Sequence, residues 1–180
     1  ITGNTAVGKF GAIFTDSVSI TGNVNVADNK AENVGAIFAA TVSIGGDANI
    51  TGNTADVKIG AILAGSVSIG GDANVTGNTA NDVGAIAATR ALTIGGSAAI
   101  ANNTARDSYG AILAGSVSIG GDANITGNKA ANDVGAIRVT GTGDAFKIVG
   151  NAVITGNVVG TTPTVATTET TDVVNSTNED

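Results

Sequence analysis

The sequence predicts an all-β fold, a single-stranded parallel β-helix (β-solenoid) whose repeats stack as about six to seven coils. Two motifs recur in register: Gly-Ala-Ile, at spacings of 24 to 26 residues, and an aliphatic residue followed three positions later by asparagine. A period of roughly 20 to 50 residues is typical of solenoids and propellers, whose units bury apolar surface only by stacking. Gly-Ala-Ile begins at Gly11, Gly35, Gly60, Gly84, Gly110 and Gly135, and the asparagines are Asn4, Asn29, Asn53, Asn78, Asn103, Asn128 and Asn157.

Each repeat contains three short runs in which apolar and polar residues alternate, for example 48–51, 60–63 and 66–69. Alternation with a period of two predicts β-strands. Glycine pairs and Gly-Asn dipeptides separate the runs and supply the positive-φ positions that tight corners require. Three strands and three corners in about 25 residues match one coil of a β-helix, whereas a propeller blade needs about 40 residues. No window keeps a helical periodicity, so we expect no helix.

The repeats also predict the core. Coils stacked about 4.8 Å apart give a rod on the order of 30 to 35 Å long. Identical positions in successive coils then form columns of like aliphatic side chains, which fill a narrow interior without large aromatic residues. The predicted inward columns are Val18, Val42, Val67, Leu92 and Val117; Ile20, Ile44, Ile69, Ile94 and Ile119; Ile13, Ile37, Ile62, Ile86, Ile112 and Ile137; and Ile50, Val75, Ile100 and Ile125.

Composition predicts one solenoid domain followed by a tail. The repeats cover residues 1–159, and residues 160–180 change to an acidic, Thr/Val-rich sequence. Threonine and valine favour extended strands, so we expect the tail to be docked, either as a cap or as a strand shared between subunits. Because the chain begins within a repeat, it is interpreted as a processed product or an excised fragment.

Charge and residue usage argue against several classes of function. The net charge is −7 and no basic face is evident, so we expect no nucleic-acid binding. No apolar run reaches membrane-spanning length, so we expect no membrane span. The chain has no histidine and no cysteine, and the repeat spreads its carboxylates apart. We therefore predict a protein that is not an enzyme and that binds no cofactor.

The pairing of Ile/Val-x-x-Asn with Gly-Ala-Ile in every repeat resembles the polymorphic outer-membrane proteins, in which Phe-x-x-Asn alternates with Gly-Gly-Ala-Ile. The resemblance covers about residues 1–157. The passengers of that family are autotransported β-helices that serve as adhesins, so the resemblance implies a right-handed coil and an extracellular location at the cell surface. The family's phenylalanine is Ile or Val here, and its first glycine is replaced by Phe10, Val34, Ile59, Val83, Tyr109 and Val134.

Two sets of polar residues are candidate sites. Asp47, Asp72 and Asp122 are predicted to lie in one column, where stacked carboxylates repel each other unless a cation such as calcium compensates them. The alternative is hydrogen bonding within the corners by these aspartates. Asparagines in Asn-x-Thr patterns are candidate glycosylation acceptors, and the alternative is a solvated Asn/Thr face. These acceptors are Asn49, Asn74, Asn102, Asn124 and Asn175.

The leading functional hypothesis is a non-enzymatic extracellular structural protein that stacks end to end into a surface filament, a head-to-tail homopolymer. The alternative is a passenger fragment of an autotransporter-type adhesin that recognises a host or matrix ligand. The predicted interface residues at one end are Ile1, Val7, Phe10 and Ile13, and those at the other end are Ile148, Val153, Ile154, Val158 and Val159.

Overall fold

The structure is a computed structural model that describes residues 1–160 and the backbone of one further strand at 173–175. These residues contain β-strands and no helix, and the chain winds through about six turns of a parallel β-solenoid, as predicted. We number the coils from the N-terminus as coil 1 (1–24), coil 2 (25–48), coil 3 (49–73), coil 4 (74–98), coil 5 (99–123), coil 6 (124–152) and coil 7, which begins at 153–160.

The strands form three parallel sheets that run along the rod. The long-strand sheet contains β1 (Ile13–Ile20), β4 (Ile37–Ile44), β7 (Ile62–Ile69), β10 (Ile86–Ile94), β13 (Ile112–Gly121), β16 (Ile137–Val139), β17 (Phe146–Gly150) and β20 (Val173–Asn175). The second sheet contains β2 (Asn25–Ala27), β5 (Asn49–Thr51), β8 (Asn74–Thr76), β11 (Ala99–Ala101), β14 (Asn124–Thr126) and β18 (Val153–Thr155). The third contains β3 (Lys30–Ala31), β6 (Thr54–Ala55), β9 (Thr79–Ala80), β12 (Thr104–Ala105), β15 (Lys129–Ala130) and β19 (Val158–Val159).

The division of each coil into strands differs from the prediction. The runs 60–63 and 66–69 were expected to be separate strands, but most of both lies in the single strand β7, which bends at Gly65 and Ser66. Both bend residues are partly exposed, so the alternation of buried and exposed residues restarts there. Pairing with the preceding coil skips Gly65 and resumes at Ser66 in the same register. The third strand is instead β6, whose two residues are too few to show a sequence period.

The predicted aliphatic columns are confirmed. The register joins Val42 to Val67 and Ile44 to Ile69, and the same pairing repeats along the rod. The interior members are buried, which is the ladder of like side chains expected for a narrow core. Three further columns of alanine belong to the core, and the sequence analysis did not identify them. They are Ala36, Ala61, Ala85, Ala111 and Ala136; Ala48, Ala73, Ala98 and Ala123; and Ala39, Ala64, Ala88 and Ala114.

The glycine of Gly-Ala-Ile is required by the close approach of successive coils. A Cβ atom added at Gly60 would overlap the carbonyl oxygen of Gly84 in the next coil, and one at Gly84 would overlap that of Gly110. The backbones at this corner therefore leave no room for a side chain. The motif is structural, and its repetition follows from the stacking distance.

Two irregularities interrupt the long-strand sheet. In coil 4, β10 contains one extra residue, and the pairing shifts between Ala88 and Ala91, which is a β-bulge at the bend. In coil 6, an insertion at 140–145 separates β16 from β17, so β13 pairs with both strands. Both irregularities leave the buried aliphatic columns in register.

Part of the tail returns to its own chain. Strand β20 pairs in parallel with β16, with Val173 opposite Ile137. It occupies the position in coil 7 that long strands occupy in earlier coils. Residues 161–172 and 176–180 lie outside the described residues. The part of the tail prediction that concerns them therefore stays a prediction. In the described part of the chain, no helix is long and apolar enough to span a membrane.

Candidate functional site

The asparagine ladder is the most ordered polar feature of the rod. We use this name for Asn4, Asn29, Asn53, Asn78, Asn103, Asn128 and Asn157, one from each coil. At Asn53, the backbone N–H and the side-chain Nδ2 both donate to Oδ1 of Asn78, at 2.9 and 3.0 Å. Nδ2 also donates to the carbonyl oxygen of Val26, at 2.9 Å. Each interior amide thus uses two side-chain donors and accepts two hydrogen bonds, which offsets the cost of its burial.

A positive φ angle at the preceding residue turns the chain at each ladder position. Gly52 has φ +64°, and Asp28 and Asn102 take the same position with φ 55°. Glycine, aspartate and asparagine are the residues that adopt this conformation at low cost. The Gly-Asn dipeptides of the sequence therefore encode the corner that turns the amide into the core.

The ladder is incomplete at the N-terminal end of the rod. Asn4 is exposed, and its Nδ2 donates to Oδ1 of Asn29, at 2.8 Å, and to the carbonyl oxygen of Thr2, at 3.4 Å. Its Oδ1 accepts no hydrogen bond from the described residues. Ile1 heads the same aliphatic column as Val26 and is 56% exposed, whereas Val26 is fully buried. Asn4 and Ile1 are thus more exposed than their equivalents in coil 2, Asn29 and Val26.

The C-terminal end has the opposite polarity. Oδ1 of Asn157 accepts from the backbone N–H and Nδ2 of Asn128, at 3.0 and 2.8 Å. Its Nδ2 donates to the carbonyl oxygens of Ile125, at 3.0 Å, and Thr155, at 3.2 Å. The backbone N–H of Asn157 finds no acceptor among the described residues. Ile154 beside it is only partly buried.

The predicted interface residues lie on the terminal coils. Ile1, Val7, Phe10 and Ile13 are in coil 1, and the others are in coils 6 and 7, so a single chain does not bring the two sets together. The sequence analysis missed two exposed apolar residues at these ends, Phe14 and Val149. Phe14 lies on the outward face of β1. The alternation of inward and outward residues along the strand is the sequence signal that could have placed it on the surface.

The candidate calcium column is not a cluster in the described part of the chain, where no group of three or more acidic, histidine or cysteine residues could hold a metal ion. Asp47 and Asp72 are exposed on successive coils, and Ser97 separates Asp72 from Asp122. The Asp122 carboxylate instead accepts a hydrogen bond from Nδ2 of Asn151, at 3.2 Å. Calcium binding stays a prediction.

Some of the candidate glycosylation acceptors form a second, outer ladder. Nδ2 of Asn74 donates to Oδ1 of Asn49, at 3.2 Å, and both side chains are partly buried. Asn102 and Asn124 are exposed, and the side chain of Asn175 lies outside the described residues. Glycosylation at these positions stays a prediction. The sequence analysis considered glycosylation and a solvated Asn/Thr face for these residues, and neither interpretation predicts this hydrogen bond.

An apolar groove lies on the outside of coils 1 to 4. The rings of Phe10, Phe14 and Phe38 stack with centroid separations of 4.4 to 5.4 Å. They adjoin an open groove of about 430 Å³, whose wall continues through Leu63 to Thr89 at the bulge. A second apolar cluster beside this wall contains Val34, Ile59 and Val83, and Phe10 and Tyr109 pack against it. Each of these five residues directly precedes the glycine of a Gly-Ala-Ile motif.

The arrangement offers binding chemistry. Strand backbone, aliphatic side chains and one amide of defined polarity repeat in every coil, and recognition by strand addition uses the same elements. The carboxylates of the described residues are spread along the rod, and no three of them lie close enough together to hold a metal ion. Comparison of the chain with protein-family models, curated proteins and solved structures found no match.

Proposed function

We propose that this chain is a non-enzymatic structural protein of the cell surface whose rods stack end to end into a filament. One observation carries the proposal: each described coil continues the aliphatic columns and the strand pairing of the coil before it. Val26, Ile50 and Ile100 are fully buried, while Ile1 of the same column is 56% exposed. Docking the last coil of one molecule on the first coil of the next continues the column.

The energetics of such a contact are favourable. Burying one isoleucine side chain contributes about 2 kcal/mol, and several columns end at each terminal coil. The edges of β1 and β18 also gain main-chain hydrogen bonds when another strand is added. The two surfaces differ from each other, so the contact is heterologous and generates a filament unless the rotation closes a ring.

The proposed surface location rests on the sequence. The repeats resemble those of surface-exposed passengers, and the absence of cysteine makes the fold independent of the redox state of its surroundings. A rod whose outer faces carry mainly polar and charged side chains tolerates contact with water along its whole length. These features support a filament outside the cell.

A matched pair of variants tests the assembly. The 180-residue chain is released from a cleavable fusion so that Ile1 is its first residue, and assembly is followed by light scattering and sedimentation against concentration. Ile1→Asp puts a charge in the open column and raises the threshold concentration for assembly at least about tenfold. Val57→Asp, at a 43% exposed valine on the side of coil 3, leaves the threshold unchanged.

Truncation provides a second test. Removing residues 160–180 takes away β20, which pairs with β16 on the last coils. The truncated protein is expected to assemble more weakly or not at all, because the C-terminal face loses part of a strand layer. Equally stable filaments from the truncated chain argue against a role for the tail. An unchanged threshold for Ile1→Asp contradicts the end-to-end contact itself.

The second candidate is a passenger fragment of an autotransporter-type adhesin, and the groove beside Phe14 and Phe38 favours it. Phe14 is 67% exposed, and an exposed aromatic patch is typical of a surface that binds a partner. Sequencing the gene discriminates between the two candidates. A reading frame that continues into an outer-membrane translocation domain supports the adhesin, and one that ends after Asp180 supports the filament.

A further inference from the structure

The geometry points to a side-by-side contact in which two copies of this chain pair in antiparallel orientation, about a two-fold axis between coil 3 and coil 4. This contact uses the side of the rod and goes beyond the proposed end-to-end assembly. Two columns of residues, one from each of coils 1 to 6, form what we call the docking face. They are the charge column, Lys9, Asn33, Lys58, Asp82, Ser108 and Asp133, and the outer column, Phe14, Phe38, Leu63, Ala87, Leu113 and Arg138.

Backbone pairing aligns both columns along the rod. In the charge column, the residue after each member donates its N–H to the carbonyl oxygen of the member one coil earlier, as Val83 does to Lys58 at 2.8 Å. In the outer column, Phe38 pairs with Leu63, and the pairing repeats along the long-strand sheet. Val83 and its equivalents belong to the second apolar cluster, against which Phe38 and Leu63 also pack. The two columns therefore border the same cluster and lie on the same side of the rod.

The charge column changes sign along the rod. Its charged members are lysines in coils 1 and 3 and aspartates in coils 4 and 6, and each of them is at least partly exposed. In the part of the chain that the structure describes, the one ion pair joins Lys30 to Asp56. The lysines and aspartates of the column therefore have no oppositely charged partner there, and the face carries a positive half and a negative half.

The order of the charges is self-complementary. A two-fold axis between coils 3 and 4 places coil 3 opposite coil 4, coil 2 opposite coil 5 and coil 1 opposite coil 6. Lys58 then lies opposite Asp82 and Lys9 opposite Asp133, and each pair occurs twice because the contact is isologous. A parallel arrangement in the same register would oppose lysine to lysine and aspartate to aspartate, which repel. Charge complementarity therefore identifies the partner of this face as a second, antiparallel copy of the chain.

The outer column fits the same axis. Phe38 comes opposite Leu113, Leu63 comes opposite Ala87, and the phenylalanine ring of coil 1 comes opposite the guanidinium of Arg138, which allows a cation–π contact. Phe38, Leu63 and Leu113 are partly exposed although coils flank them on both sides, so a partner can cover them. Exposed ion pairs are individually weak and fix orientation, so the apolar side chains supply most of the affinity.

Charge reversal tests the contact. Dimerisation is measured by sedimentation equilibrium at low ionic strength, in the Ile1→Asp background so that end-to-end assembly is suppressed, and we expect reversible dimers. Lys58→Asp or Asp82→Lys puts like charges opposite each other twice and is expected to raise the dimer dissociation constant at least about tenfold. The control Asp72→Lys makes the same charge change as Asp82→Lys at an exposed corner outside the docking face, and it should leave the constant unchanged.

Compensating reversals test the antiparallel register. The double variant Lys58→Asp/Asp82→Lys and an equimolar mixture of the two single variants both place opposite charges at these sites again, so each is expected to restore pairing. In a parallel arrangement staggered by three coils, Lys9 would lie opposite Asp82, and neither combination would restore it. Failure of both combinations overturns the antiparallel register. Monomers at every concentration, or an equal loss in Asp72→Lys, overturn the self-pairing and leave the face to a different partner, while the filament is judged separately by its assembly threshold.

Discussion

The interior and terminal coils carry the same motifs but place them in different surroundings. In the middle of the rod, a ladder asparagine is fully buried and every hydrogen-bonding group of its amide is used. At the ends, Asn4 is exposed and Asn157 is partly exposed, and each relies on a carbonyl two residues away. The same asparagine therefore contributes differently to the stability of the fold in an interior coil and in a terminal coil.

This difference is a general property of stacked repeats. Each coil contacts only its neighbours, so interior coils are satisfied on two sides and terminal coils on one. A natural rod must cover its terminal coils or use them for binding. The predictions below change equivalent positions in the two settings and are ordered by the size of the expected effect.

The largest effect is expected where coils approach most closely. In Gly84→Ala, the new Cβ overlaps the carbonyl oxygen of Gly110 and lies 2.8 Å from the backbone nitrogen of Thr104. Because backbone atoms cannot move aside, we expect a loss of at least about 3 kcal/mol in the free energy of unfolding. Urea denaturation followed by far-ultraviolet circular dichroism measures it.

The matched control is Gly70→Ala, because a Cβ at Gly70 meets no atom within 4 Å. Its free energy of unfolding should stay within about 0.5 kcal/mol of the parent protein. Equal effects of the two substitutions contradict the steric explanation of the Gly-Ala-Ile motif and favour a general effect of lost glycine.

The next effect compares two ladder positions. Asn78→Ala removes an amide that Asn53 and Asn103 both contact and leaves several buried polar groups without partners. We expect a loss of about 3 kcal/mol in the free energy of unfolding, measured by the same denaturation. Asn4→Ala, measured below the assembly concentration, should cost less than about 1 kcal/mol because water reaches that end. Similar losses at both positions refute the distinction between interior and terminal coils.

The smallest effect concerns Tyr109, which lies outside the main core. Burial raises the pKa of Tyr109 above its usual value of 10.0, and the nearby carboxylate of Asp133 raises it further, while Arg138 opposes the rise. The folded state thus favours the neutral phenol, so this contribution to stability is complete below pH 10 and is lost as pH rises through the raised pKa.

Tyr109 is the only tyrosine, so the absorbance of tyrosinate during an alkaline titration reports it alone. We expect a midpoint above 10 in the folded protein and a midpoint near 10 in urea. A folded midpoint at or below 10 contradicts the burial of Tyr109 against the second apolar cluster. Tyr109→Phe should remove the corresponding pH dependence of the unfolding free energy.

The period of the sequence determines how much of the fold was predictable. The columns through Val42 and Ile62 follow from the period alone, because stacking aligns equal positions of successive repeats. The bend in β7 was missed because alternation stops at Gly65, although backbone pairing resumes after it. The alanine columns were missed since alanine occurs on both faces of strands and carries no strong periodic signal.

The candidate site was predictable only in part. Open apolar columns at Ile1 and Ile154 follow from counting repeats. The polarity of the ladder does not, because a sequence gives the asparagines without the direction in which their amides donate. That direction comes from the positive-φ corner at Gly52 and its equivalents, which turns every amide the same way. The direction of the amide hydrogen bonds therefore could not be predicted from the sequence.

Electron microscopy of the purified 180-residue protein at increasing concentration decides whether the coils continue from one molecule to the next. The account predicts unbranched filaments one rod wide, or two where rods pair side by side, with strand layers about 4.8 Å apart along the axis and a subunit repeat of about 34 Å from seven coils. Isolated short rods at every concentration, or rods that associate only side by side with their ends exposed, would contradict it.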